Sequence, residues 1–158
     1  MERGHRNGRT EREEVHEEVK RLGIDPGAST GLGVWDCAQK KLLDVRTVAK
    51  AKAFDKALRL ARDHAVDIIL IEQNKDKVYD RPGQSPRTML RIAKNVGQNI
   101  AFASELARRL AAEGFEVELV PPKRDFTKWT REMFEAAFGN MGRVSEHGRD
   151  AACLAAFH

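Results

Sequence analysis

The stretch Leu22-Gly23-Ile24-Asp25-Pro26-Gly27-Ala28-Ser29-Thr30-Gly31-Leu32-Gly33-Val34-Trp35 decides how the chain is read. Two short apolar runs flank a turn rich in Gly and Pro, so they read as paired strands of a tight hairpin. Asp25 stands where the first run ends and is the only charge between Arg21 and Asp36. Desolvating a carboxylate in such a setting is costly unless a partner compensates. Two explanations are open at this point: Asp25 caps the turn through Pro26-Gly27, or a cation sits against it.

Working outward, residues 21–25, 32–37 and 42–48 read as three strands, with 38–41 turning the second into the third. In the third, Leu43, Val45 and Thr47 alternate with Asp44 and Arg46, the period-two signature of an edge-side strand with one wet face. Phe54, Leu58, Ala61 and Ala65 recur at helical spacing and predict an amphipathic helix over 52–65. Ile68-Ile69-Leu70-Ile71 is an unbroken apolar run, as expected of a central strand buried on both faces, and Glu72 ends it. A polar loop over 73–87 holds Lys75, Lys77, Tyr79, Arg81 and Arg87. Met89, Ile92, Ala93, Val96, Ile100, Ala103, Ala107 and Leu110 mark the longest helix, 88–112, which Gly114 stops.

Residues 115–120 form a further strand, ended by Pro121-Pro122. Residues 123–138 mix Lys123, Arg124 and Lys128 with Phe126, Trp129, Phe134 and Phe138 and read as a helix. An alanine-rich helix closes the chain, with Ser145 as its N-cap. The order βββαβαβα(α) makes an α/β fold: a five-stranded mixed sheet, three antiparallel strands extended by two parallel ones. Residues 1–20 carry mixed charge and no apolar stripe, so they read as a polar N-terminal arm beside one domain over 21–158.

A length of 158 residues suits one domain with a proper core. An apolar fraction of 41% and a charged fraction of 33% fit a soluble globular protein. No apolar run approaches the roughly 18 residues a membrane span needs. Met1-Glu2-Arg3-Gly4-His5-Arg6 lacks the apolar stretch of a secretory signal, so a cytoplasmic location is expected. Cys37 and Cys153 have no metal-binding spacing and are expected to be free thiols. The net charge of +4 favours a polyanionic partner only mildly.

Four groups stand out: Asp25, Glu72, His147 and Asp150. His147 and Asp150, three apart on a helix, share a face. If the strands carrying Asp25 and Glu72 are neighbours, three carboxylates and an imidazole converge. Like charges that close cannot all ionise without compensation, which a hard Mg²⁺ or Mn²⁺ ion supplies. The plainer readings are a charge pattern at a helix start for His-x-x-Asp and a solvated strand end for Glu72.

Taken together, Gly23-Ile24-Asp25-Pro26-Gly27, Thr30-Gly31-Leu32-Gly33-Val34, Ile71-Glu72-Gln73 and His147-Gly148-Arg149-Asp150-Ala151-Ala152 resemble the RuvC-type Holliday junction resolvases of the ribonuclease H-like superfamily. The resemblance runs over residues 21–157; the basic 73–87 loop departs from the bacterial enzymes and suits a phage or divergent member. It implies a ribonuclease H-like fold in which Asp25, Glu72 and Asp150 are metal-binding acids. His147 falls where the fourth ligand stands, a position held by Asp in some members and His in others. It further implies two Mg²⁺ or Mn²⁺ ions per site and in-line hydrolysis of branched DNA, leaving 5′-phosphate and 3′-hydroxyl ends. A homodimer through the 88–112 helix is also implied.

DNA contacts are expected from Lys75, Lys77, Arg81 and Arg87 and from Lys123, Arg124 and Lys128, which would neutralise phosphates. Tyr79 is expected to stack on an unpaired base. Solvated loops are the plainer account of the same residues. Rival functions are a same-fold nuclease acting on flaps, other branched DNA or RNA, and a non-catalytic binder of branched DNA. A sugar-kinase or actin-like nucleotide domain has a similar first motif, but it needs a second such domain that 158 residues do not hold.

Overall fold

The computed structural model describes residues 18–74, 82–122 and 128–158. Strand β1 (Lys20–Asp25) pairs antiparallel with β2 (Ser29–Asp36), which pairs antiparallel with β3 (Lys41–Ala49). A short 3₁₀ turn, Lys50–Lys52, leads into α1 (Ala53–Asp63), and β4 (Ile68–Glu72) then returns parallel to β1. Helix α2 (Pro86–Ala112) crosses to β5 (Glu116–Val120), parallel to β4. Helices α3 (Arg131–Phe138) and α4 (Glu146–Phe157) complete the described chain. The sheet order β3-β2-β1-β4-β5 is the expected mixed sheet: antiparallel at one side, parallel at the other.

Strand alternation sends alternate residues to opposite faces. Leu22, Ile24, Leu32, Val34, Ile69 and Ile71 meet Ala57, Leu60 and Ala61 of α1 and Ala103, Leu106 and Leu110 of α2 in the main core. The opposite face receives α4, which lies across β1 and β2. That approach depends on glycine: a Cβ on Gly23 would overlap the Ala151 carbonyl oxygen, and one on Gly31 the His147 carbonyl oxygen. A Cβ on Gly33 would come within 2.7 Å of the Ala152 Cα. Glycine on these strands thus lets a helix backbone rest directly on the sheet. Beside α4, Phe134 of α3 packs with Leu42 and Ala152 in a second core. Trp35 joins it edge-on to Phe138, at 5.7 Å between ring centroids, in the packing role expected for it.

Four local expectations are corrected. The alternation in β3 breaks: its register shifts between Val34, opposite Asp44, and Trp35, opposite Leu42, leaving Leu43 as the extra residue of a bulge. Leu43 therefore packs in the main core while Val45 faces the second one. Helix α1 stops at Asp63, because Ala65 takes a left-handed φ of 51° to turn into β4. Helix α2 begins two residues early, where the Ser85 side chain accepts a hydrogen bond from the Thr88 N–H and Pro86 opens the first turn. Of the described part of the helix expected over 123–138, residues 128–130 are not helical and Arg131–Phe138 are, since Lys128 has a φ of 64° and Thr130 caps the helix by accepting from the Met133 N–H. Residues 123–127 lie outside the described residues, as do 1–17 of the expected arm.

Cys37 and Cys153 are free, as expected, and burial pushes the Cys153 thiol up to about 12. Among the described residues no helix is long and apolar enough to cross a membrane.

Candidate active site

The pairing of Gly23 with Leu70 and of Ile24 with Ile71 carries the ends of β1 and β4 side by side. Asp25 has the parity of Gly23 and Glu72 that of Leu70, which packs with Leu154. Both acids therefore project on the α4 face, from the C-terminal ends of neighbouring parallel strands. In open α/β sheets that end is where ligands bind.

Helix α4 brings the other two groups. Its N-cap Ser145 accepts a hydrogen bond from the Gly148 N–H at 3.1 Å, and the Ser145 hydroxyl also bonds that of Thr47 on β3. So anchored, the first turn sets His147 Nδ1 2.9 Å from Asp25 Oδ2. Asp25 keeps only 14% of its side-chain surface exposed, against 48% for His147. Asp150, one turn further on, accepts from the Lys128 backbone N–H, while its Oδ1 is buried without a hydrogen-bond partner.

The electrostatics follow from this crowding. Burial pushes the Asp25 carboxyl above its ordinary range, with the His147 hydrogen bond opposing. Asp150 is raised by burial and by the charge on Asp25. Glu72 is raised most, to about 7, by burial and then by Asp25 and Asp150. Asp25 thus raises both Asp150 and Glu72, and Asp150 also raises Glu72, so negative charge accumulates here with only His147 opposing it at Asp25. Glu146, which the sequence reading passed over, adds its negative charge to both Asp25 and Asp150.

A cleft of about 350 Å³ opens over part of this set, lined by Asp25, Glu72 and His147, by residues 26–29 of the hairpin turn, and by Asn74 and Asn99; Asp150 is not among its lining residues. The two asparagines carry no periodicity or charge that marks them in the sequence. Among the described residues, no three of His, Cys, Asp and Glu already form a set able to hold a metal ion. Asp25 and His147 touch; Glu72 and Asp150 stand within electrostatic reach but apart, as uncompensated carboxylates do. The donor chemistry nevertheless fits a hard divalent cation: carboxylate oxygens, one of them buried and unpartnered, and an imidazole.

Of the residues expected to bind DNA, Arg87 and Lys128 are described and exposed. Arg87 lies twelve residues before Asn99 on α2, roughly 18 Å along the helix axis. Lys75, Lys77, Tyr79, Arg81, Lys123 and Arg124, with Phe126, lie outside the described residues. Trp129 packs against Phe138 and Phe157, at 6.0 and 5.5 Å between ring centroids.

No family model matches the chain, and no curated protein matches it by sequence. Solved structures do match. Thermus thermophilus RuvC in complex with a Holliday junction substrate superposes with a TM-score of 0.58 at 18% identity, covering 87% of this chain and 90% of that one. A second Thermus thermophilus RuvC structure gives a TM-score of 0.50 at 15% identity, covering 87% and 91%. The chain therefore has a RuvC-like, ribonuclease H-like fold.

Proposed function

We propose that this protein is a divalent-metal-dependent endonuclease that resolves four-way DNA junctions. The observation that carries the proposal is the gathering of Asp25 and Glu72, at neighbouring strand ends of a RuvC-like fold, with His147 and Asp150 from the first turns of α4, His147 bonded to Asp25 and Asp25 raising both Glu72 and Asp150. The solved neighbour with this fold is in complex with a Holliday junction substrate.

Asp25, Glu72, Asp150 and His147 would hold Mg²⁺ or Mn²⁺. Bound there, such ions supply Lewis acidity at the phosphoryl oxygens and neutralise charge on the attacking and leaving oxygens. His147 orients Asp25 through Nδ1, which leaves Nε2 available as a ligand or proton acceptor when the ring is neutral. Asp150 offers its unpartnered Oδ1. Glu72, poised near 7, exchanges its proton for a cation at little cost. The reaction is attack of water in line with the leaving 3′-oxygen, yielding 5′-phosphate and 3′-hydroxyl ends.

Arg87 and Lys128, with Lys75, Lys77, Arg81, Lys123 and Arg124, neutralise backbone phosphates, and Tyr79 stacks on an unpaired base. A homodimer supplies the two active sites that a two-fold junction requires. The N-terminal half of α2 supports it: residues 86–102 include none that is buried, and Leu90 there is 73% exposed.

The test is incubation with synthetic four-way, three-way, flap and linear DNA and with RNA, in Mg²⁺, Mn²⁺ or EDTA, with the cut ends mapped. Paired nicks in the four-way junction, lost in EDTA, are expected. Cutting confined to flaps or RNA would move the substrate class, and no cutting of any substrate would refute the nuclease reading. Sedimentation analysis should show a dimer that Leu90→Glu weakens.

A further inference from the structure

The cleft is lined by acidic and by neutral polar side chains. Among the described residues lining it there is no Lys or Arg; beyond the carboxylates and His147, the polar side chains are Ser29, Asn74 and Asn99. The two amides come from different elements joined at one point. Gln73, directly after β4, donates from Nε2 to the Ser104 hydroxyl at 2.8 Å and to the Ile100 carbonyl at 3.3 Å, and its backbone N–H bonds the Val120 carbonyl at 2.8 Å. This tie fixes α2 over the end of the sheet. It places Asn74, the next residue after Gln73, and Asn99, the residue before Ile100, on the cleft.

The Gln73 amide is spent on structure. Those of Asn74 and Asn99 have no hydrogen-bond partner among the described residues. A strand delivered to the carboxylates presents phosphate oxygens, which need donors. A lysine or arginine in this cleft would instead be drawn onto Asp25 and Glu72 and would compete with a cation there. An amide donates two N–H groups without carrying charge, so it binds phosphate and leaves the carboxylates free. Among the described residues, no cation lies with the groups that set the Glu72 ionisation, in keeping with that arrangement.

We infer that Asn74 and Asn99 form a neutral strand-binding wall that grips the sugar-phosphate backbone of the nucleic-acid strand lying in the cleft. The inference rests on the nuclease reading above and adds residues which that reading does not use. The experiment measures four-way-junction binding in EDTA, where no cleavage or cation intervenes, and kcat and KM in Mg²⁺, for wild type and for Asn74→Ala, Asn99→Ala and Asn99→Asp. Each alanine variant should weaken binding about tenfold, with KM rising and melting temperature unchanged. Asn99→Asp, nearly isosteric but negatively charged, should bind more weakly than Asn99→Ala.

A role in packing alone predicts the reverse order, with Asp the milder change. That order, or alanine variants within about twofold of wild type, overturns the inference while the nuclease reading stands. A wild-type protein that binds none of the DNAs overturns both.

Discussion

Replacing Glu72 by Gln tests the crowding of the acids without any assumption about substrate. Glu72 is raised from its ordinary 4.5 to about 7 by burial and by Asp25 and Asp150. Because the folded-state value lies above the unfolded one, this term is harmless below about pH 4.5, and stability is lost as pH rises towards 7. The full displacement corresponds to about 3 kcal/mol at pH 8. Glu72 is partly solvated, which screens the interaction, and about 1–2 kcal/mol is the expected net effect. Gln keeps the shape and removes the charge. In EDTA at pH 8, Glu72→Gln should therefore melt roughly 3–8 °C above wild type, and at pH 4.5 the difference should vanish. Millimolar Mg²⁺ or Mn²⁺ should then stabilise wild type more than the variant, since the cation supplies the missing counter-charge. The assay is thermal denaturation across pH, with urea titrations for free energies. A variant no more stable than wild type at pH 8, or an advantage of equal size at both pH values, would refute the reasoning.

Asp25→Asn should abolish cleavage while retaining junction binding, because the amide oxygen still accepts from His147 Nδ1–H but no longer offers a carboxylate; cleavage and mobility-shift assays on one preparation decide it. Gly31→Ala should destabilise by about 1–3 kcal/mol or more, since its Cβ has no room against the His147 carbonyl and α4 must lift from the sheet. An unchanged urea midpoint would contradict that packing. Ser145→Ala removes both the α4 cap and the bond to Thr47, and should cost about 1–2 kcal/mol by the same measurement.

The site was only partly legible before folding. Asp25 and Glu72 stand out because each ends an apolar run, the local pattern of a strand buried on both faces. His147 and Asp150 stand out because helical spacing puts them on one side. Glu146 was missed, since a first-turn acid looks like ordinary helix-dipole chemistry until α4 is seen beside Asp25. Asn74 and Asn99 were missed because an amide gains meaning only from the groups that share its cleft. The expected helix over 123–138 erred in the same way: its mix of basic and aromatic residues read as helix, but a left-handed Lys128 precedes the Thr130 N-cap, so the helix ending at Phe138 starts at Arg131.

Alternation, caps and breakers act between residues a few positions apart, so the sequence by itself determined which segments are strands and helices and which of them end in a carboxylate. The β3 bulge, the seating of α4 on strand glycines and the Asp25–His147 contact needed the tertiary structure. So did the rise of Glu72 to about 7. Those depend on pairing and packing between separate elements, across more than a hundred residues for α4 on the glycines and for Asp25–His147, and electrostatic coupling between carboxylates exists only once packing has brought them together and taken their water away.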